Sequence, residues 1–423
     1  MTTRDACLAL DRADPLAPLR ELFELPEGTL YLDGNSLGVL PRATPARVHQ
    51  VVLQEWGRDL IKSWNSAGWI DLPARVGDKI ARLIGAAQGE VVVADSTSVN
   101  LYKVLMAAGR LQRDRAPARR VLLSERSNFP TDLYIAESVC EALGWTLALV
   151  EPDEIEASLD DQLAVLMLTH VNYRSGRMHD MDRLTRRAHA AGALVVWDLC
   201  HSAGAVPVGL HASDADYAVG CGYKYLNGGP GAPAFVWVHP RHADRFSQPL
   251  SGWLGHVAPF EFNPHYRPAA GIARYVCGTP PVISMAALEC GVDTVLAAEP
   301  LGGMAALREK SIALTELFAQ LVETRCAGHG LAVVSPREAA QRGSQVCLTR
   351  GEGGYAIVQA LIARGVIGDF RAGDAETPDI LRFGFTPLYC RHVDVWDAVE
   401  QLREVLASGE WQRPEFNRRH AVT

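Results

Sequence analysis

Seven short, almost wholly apolar runs through the middle of the chain constrain its fold more than any other feature. Residues 91–93, 121–123, 147–150, 165–168, 194–197, 217–219 and 235–238 are strand-sized, and most are rich in β-branched residues. Amphipathic stretches such as 133–143 and 181–191 lie between several of them, and the second stops at Gly192, a natural residue just past a helix end. Strands that are apolar on both faces and alternate with helices predict an α/β fold, a mostly parallel seven-stranded sheet covered on both sides.

A Pro/Gly-rich stretch, 271–281, breaks this rhythm. Helical patterns at 283–298 and 304–324 follow, then strands at 345–349 and 380–385 with a helix at 355–364 between them. The expected organisation is an N-terminal segment (1–50) packing on both domains, a large domain (51–282), and a smaller α+β C-terminal domain (283–423) entered through a long helix. The N-terminal segment holds the turn Leu32-Asp33-Gly34-Asn35-Ser36-Leu37-Gly38 and no core of its own.

With 48% hydrophobic residues the chain can fill such cores, and its formal charge of −8 argues against a nucleic-acid or anionic-membrane partner. The first nineteen residues carry acids and no apolar segment of signal-peptide type, and no apolar run is long enough to span a bilayer, so a cytoplasmic protein is expected. Nine cysteines occur without any CxxC pair, which fits reduced, buried thiols better than disulfides or a metal site; no metal is expected.

Four segments carry chemistry, each at the end of a predicted strand, where open parallel sheets bind ligands. Asp95-Ser96-Thr97-Ser98 runs from a strand into a helix, and its hydroxyls and free N–H groups suit a phosphate; a plain helix cap has the same pattern. Asn128-Phe129-Pro130-Thr131-Asp132 offers a ring to stack on a flat heterocycle and polar groups at its rim, or simply starts a helix. Asp198, followed by His201, suits a protonated pyridine nitrogen, although Asp also caps helices and His201 also reads as an interior histidine. Lys224 lies between Tyr223 and Tyr225 and precedes a glycine-rich loop; a lone loop lysine is ordinarily solvated, but a desolvated one suits Schiff-base chemistry. Phosphate cup, stacking ring, carboxylate and lysine in this order point to pyridoxal 5'-phosphate (PLP).

That order resembles PLP-dependent enzymes of fold type I, in the class V aminotransferase-like branch. Over nearly its whole length the chain is similar to the kynureninases, on segments 32–38, 127–132, 197–204, 222–231 and 381–389. The resemblance implies hydrolysis of L-kynurenine to anthranilate and L-alanine, with the choice between it and 3-hydroxykynurenine left open, by a homodimer with its sites at the subunit interface. It implies that Lys224 carries the cofactor, Asp198 pairs with its ring nitrogen, Phe129 stacks on it, and Thr97, Ser98, Pro130, Thr131, Asp132, Thr169, His201 and Tyr223 surround it. Trp253 corresponds to a tryptophan that reaches the neighbouring subunit's phosphate, and Thr279 stands where the family has asparagine. Arg382 is implied to clamp the substrate α-carboxylate, Tyr223 to move a proton, and Asn35, Ser36 and Trp64 to line the aniline pocket; these residues also read as turn or core structure. The alternative is a cysteine desulfurase or selenocysteine lyase of the same fold. It requires a nucleophilic cysteine on a mobile loop and a histidine where Phe129 stands, and Cys326, Cys347 and Cys390 lack such a loop setting.

Overall fold

The computed structural model describes residues 2–245 and 248–419. The seven apolar runs form strands β1 (Val91–Val93), β2 (Val121–Glu125), β3 (Thr146–Val150), β4 (Leu163–Thr169), β5 (Leu194–Asp198), β6 (Tyr217–Gly220) and β7 (Phe235–Val238). They make one sheet in the order β1-β7-β6-β5-β4-β2-β3, parallel from β6 to β3, with β7 antiparallel to both of its neighbours. Successive side chains point to opposite faces: Val195 and Trp197 enter one core cluster, Val196 the other. Both faces are covered, which is why these strands read as continuous apolar runs rather than alternating ones.

Helices α1 (Leu72–Ile84), α2 (Thr97–Arg115), α3 (Pro130–Leu143) and α4 (Met181–Ala190) cover the sheet. Their ends follow local chemistry. Ser96 caps α2, Asp180 caps α4, Pro130 opens α3, and Gly85 and Gly144 close α1 and α3 in the left-handed conformation.

The C-terminal third contributes α5 (Val282–Leu296), α6 (Gly303–Arg325), α7 (Gly354–Ala363) and α8 (His392–Ser408). Its antiparallel sheet consists of β8 (Ala332–Val333), β9 (Gln345–Thr349), β10 (Asp369–Arg371) and β11 (Ile380–Gly384), in the order β10-β11-β9-β8. The N-terminal segment ties this sheet to the large one. Leu30–Tyr31 pairs in parallel with Val366–Ile367, Leu32 O accepts from Gly384 N at 2.7 Å, and Gly38 N donates to Tyr223 O at 2.8 Å. A Cβ at Gly38 would lie 2.5 Å from Lys224 O, so only glycine lets the turn come so close to the lysine loop.

Among the described residues no helix is long and apolar enough to cross a membrane, and no group of His, Cys, Asp and Glu side chains is arranged to hold a metal ion.

Helix α1 lies so close to β1 that a Cβ on Gly77 would stand 2.2 Å from Val91 O. Alanine gains about 1 kcal/mol of helix propensity over glycine, but forcing the helix off the strand costs about 1–3 kcal/mol. Gly77→Ala is therefore expected to destabilise the protein, read as a lower denaturant midpoint with an unchanged slope.

Candidate active site

Parallel pairing brings the polar ends of the strands together. In register, Thr169 of β4 lies beside Asp198 of β5, and Asp198 beside Val219 of β6. The turns beyond these ends enclose a cavity of about 150 Å³. It is lined by Thr97, Ser98, Phe129, Thr131, Asp132, Thr169, Asp198, His201, Tyr223 and Lys224, ten residues that the sequence singled out. Pro130 sets the first turn of α3 between Phe129 and Thr131.

Each wall has a local cause. The N-terminus of α2 presents N–H groups without partners inside the helix, next to the Ser96, Thr97 and Ser98 hydroxyls. Ser96 is also a plain cap, its Oγ accepting from Val99 N at 3.4 Å, so both readings of this segment hold at once. Phe129 keeps its ring 41% exposed and packs edge-on against Tyr173 at 5.1 Å, leaving a flat face free. Asn128 Oδ1 accepts from Phe129 N at 2.7 Å and from the Thr169 hydroxyl, which fixes the loop that carries the ring.

Asp198 is buried, and its Oδ1 accepts from Cys200 N at 2.6 Å. Burial and then the Asp198 charge push Asp132 well above the usual carboxylate range, so the two carboxyls do not both ionise. His201 Nε2 lies 3.0 Å from Lys224 Nζ. Burial, followed by the Lys224 and Arg382 charges, holds His201 well below its ordinary value, so the ring is neutral. Lys224 Nζ lies 5.9 Å from the centre of the Phe129 ring and 5.7 Å from that of Tyr223. Burial, then Cys221 and Cys200, raise the Tyr223 phenol, which stays protonated.

These residues fit PLP: a helix N-terminus with hydroxyls for a phosphate, a free aromatic face, a buried carboxylate and an amine share one cavity.

Arg382 lies just beyond, on β11. Nε donates to Asp369 Oδ1 at 2.8 Å, Nη2 to Ser36 Oγ at 2.7 Å and to Asp369 Oδ2, and Nη1 to Tyr173 O at 2.9 Å. Ser36 is thus a partner of Arg382 rather than a lining residue. Asn35 is fully buried against Gly384, and its amide has no hydrogen-bond partner among the described residues. Trp64 packs edge-on against Trp69 at 6.1 Å, outside the cavity. Trp253 also stands outside it, half-exposed against Phe260 and Phe262, with Nε1 donating to Pro259 O at 2.6 Å. Thr279 lines an adjoining cavity of about 460 Å³ that shares Ser96, Tyr223 and Ala232 with the first. Tyr173, Asp369 and Gln345, which contact Phe129, Arg382 and His201 respectively, escaped the sequence reading. Tyr173 follows the end of β4 and was reachable by strand-end reasoning; nothing local marks the other two.

Comparison with known proteins decides the family. The chain is 58% identical to the kynureninase of Pseudomonas fluorescens and to that of Burkholderia pseudomallei strain 1106a, each over the whole of both chains. The chain belongs to the kynureninase family. Residues 307–402 also match the kynureninase C-terminal domain family. Solved structures similar in fold include a cysteine desulfurase of Thermococcus onnurineus NA1 in its apo form (TM-score 0.77, 17% identity, 92% of this chain and 98% of that one). A cysteine desulfurase of Escherichia coli is another (TM-score 0.74, 19% identity, 93% and 98%). At such identity the desulfurase likeness is one of fold, type I of the PLP enzymes, while the kynureninase likeness covers sequence as well. Asp33, bridged to Gly384 two residues past Arg382, puts a further carboxyl within electrostatic reach of Arg382 and Asp369.

Burial and then the Asp369 charge raise Asp33 to about 8, against about 3.9 for an unperturbed Asp. A carboxyl raised on folding contributes stability that is complete below about pH 4 and lost as pH rises through about 8. Asp33→Asn should remove that loss: denaturant unfolding at pH 5 and pH 8 should differ less for the variant than for the parent. An equal or larger difference would refute the assignment.

Proposed function

We propose that the pocket holds PLP on Lys224 and that the enzyme hydrolyses L-kynurenine to anthranilate and L-alanine. The observation that carries this reading is the gathering of cup, ring, carboxylate and lysine in one cavity, in a chain 58% identical over its full length to kynureninases. PLP, when bound, supplies the electron sink that stabilises negative charge at the substrate's Cα and Cβ.

The chain's own residues then have separable roles. Thr97, Ser98 and the α2 N-terminus hold the phosphate, Phe129 stacks on the ring, and Asp198 keeps the ring nitrogen protonated. Asp132, Thr131 and Thr169 bound its rim. Thr279 adds a hydroxyl from the adjoining cavity. A guanidinium carries five N–H donors, and Arg382 directs four contacts to Asp369, Ser36 and Tyr173. Its Nη1 retains one N–H, the edge offered to the substrate α-carboxylate. Lys224 would move the proton at Cα. Tyr223, a protonated phenol at the cavity wall, donates or accepts at the γ-carbonyl oxygen as water adds to that carbon and the Cβ–Cγ bond breaks.

The enzyme acts as a cytoplasmic homodimer. The exposed aromatic cluster of Trp253, Phe260 and Phe262 supports an association in which Trp253 serves the neighbouring site, since large aromatic side chains left on a surface mark contact sites.

Purified protein with PLP should absorb in the near-visible, and borohydride should bleach that band and fix the cofactor's mass on the peptide carrying Lys224. Lys224→Ala should lose the adduct and reduce turnover by at least about a thousandfold; an adduct on another lysine would overturn the assignment. L-kynurenine should give fluorescent anthranilate with equimolar alanine, whereas sulfide from L-cysteine with no anthranilate would return the desulfurase reading.

A further inference from the structure

Gln345 opens β9 in the small sheet, yet its fully buried side chain reaches across to the lysine site of the large one. A Cβ on Gly176 would fall 2.9 Å from Gln345 Cγ, so a glycine there leaves room for the crossing. The amide end can be assigned from its neighbours. Gln345 Nε2 lies 3.0 Å from Tyr173 O and 3.3 Å from Asn172 O. Backbone carbonyls only accept, so the NH₂ faces them and Oε1 faces His201 Nδ1, 3.0 Å away. An amide oxygen also only accepts, which requires the proton of the neutral imidazole to be on Nδ1. The lone pair is then on Nε2, 3.0 Å from Lys224 Nζ.

We propose that Gln345 is a positioning residue that locks His201 in the Nδ1–H tautomer, so that the Nε2 lone pair accepts a hydrogen bond from Lys224 Nζ and holds the amine in place. The same amide shares Tyr173 O with Arg382 Nη1, so a continuous hydrogen-bonded chain joins the carboxylate-binding arginine to the lysine. This inference rests on the reading of Lys224 as the cofactor-bearing lysine.

The test uses the full-length chain in three forms: parent, Gln345→Leu and Gln345→Glu. The first readout is the nitrogen-15 spectrum of histidine-labelled protein freed of PLP, with the His201 signals assigned by their loss in His201→Gln. The second is the rate at which formaldehyde and cyanoborohydride methylate Lys224, followed by mass spectrometry at fixed pH. The parent should show a protonated Nδ1 and a bare Nε2. The leucine variant should lose that single tautomer, and methylation of Lys224 at fixed pH should speed up roughly fivefold, the equivalent of one hydrogen bond that had favoured the ammonium form. The glutamate variant, its carboxyl kept neutral by burial against the Tyr173 and Asn172 carbonyls so that the OH faces them and the C=O faces Nδ1, should keep the tautomer and methylate within about twofold of the parent. A leucine variant with the parental tautomer and rate would overturn the proposal. So would a glutamate variant that melts like the parent but behaves like the leucine one. Failure of the parent reading shows separately, as a borohydride adduct missing from Lys224.

Discussion

Parallel strand pairing in the large sheet is the constraint on which the rest depends. Hydrogen bonds between β4, β5 and β6 hold Thr169, Asp198 and Val219 in one row, so the turns that follow begin at one edge of the sheet. Because parallel strands need crossovers, the residues brought together are far apart in the chain: Thr97 and Lys224 face one cavity although a large part of the domain lies between them. The two apolar layers that cover the sheet supply the low-dielectric surroundings in which Asp132 is pushed to its neutral form and His201 to its own.

The second constraint is the seam between the two sheets. The turn 32–38 hydrogen-bonds to β11 on one side and to the lysine loop on the other, and Ser36 and Asp369 grip Arg382. Breaking such a buried pair would leave an uncompensated charge, a cost of about 3–5 kcal/mol. Arg382 is therefore held rigidly, with one Nη1 N–H left unengaged among the described residues. Its orientation is set by these contacts alone, the preorganisation that the proposed carboxylate clamp requires.

Much of this was legible from residue order. The seven strands were readable because burial on both faces writes itself as apolar runs, and the helices expected at 181–191, 283–298, 304–324 and 355–364 fall within a residue or two of their observed ends, whereas α3 begins three residues before 133 and α1 and α8 were not singled out. The observed strands run on into Thr169 and Asp198, polar carboxyl ends that belong to the site and break the apolar pattern, and into Glu125, whose buried carboxylate pairs with His179. Strand β10, Asp-Phe-Arg, was invisible for the same reason: two of its three residues are charged and serve the Arg382 network.

The chemical groups of the pocket were therefore written in the sequence by itself, since a phosphate cup, a ring, a carboxylate and a lysine each leave a local pattern at a strand end. Tertiary structure alone decided how those groups are held. Gln345 meets His201, Asp369 meets Arg382, and Gly38 meets the Lys224 loop only because two sheets and an N-terminal turn are packed together. Tautomer, charge state and the free edge of an arginine are properties of such contacts. They follow from dielectric and distance across the fold, which residue order carries no record of.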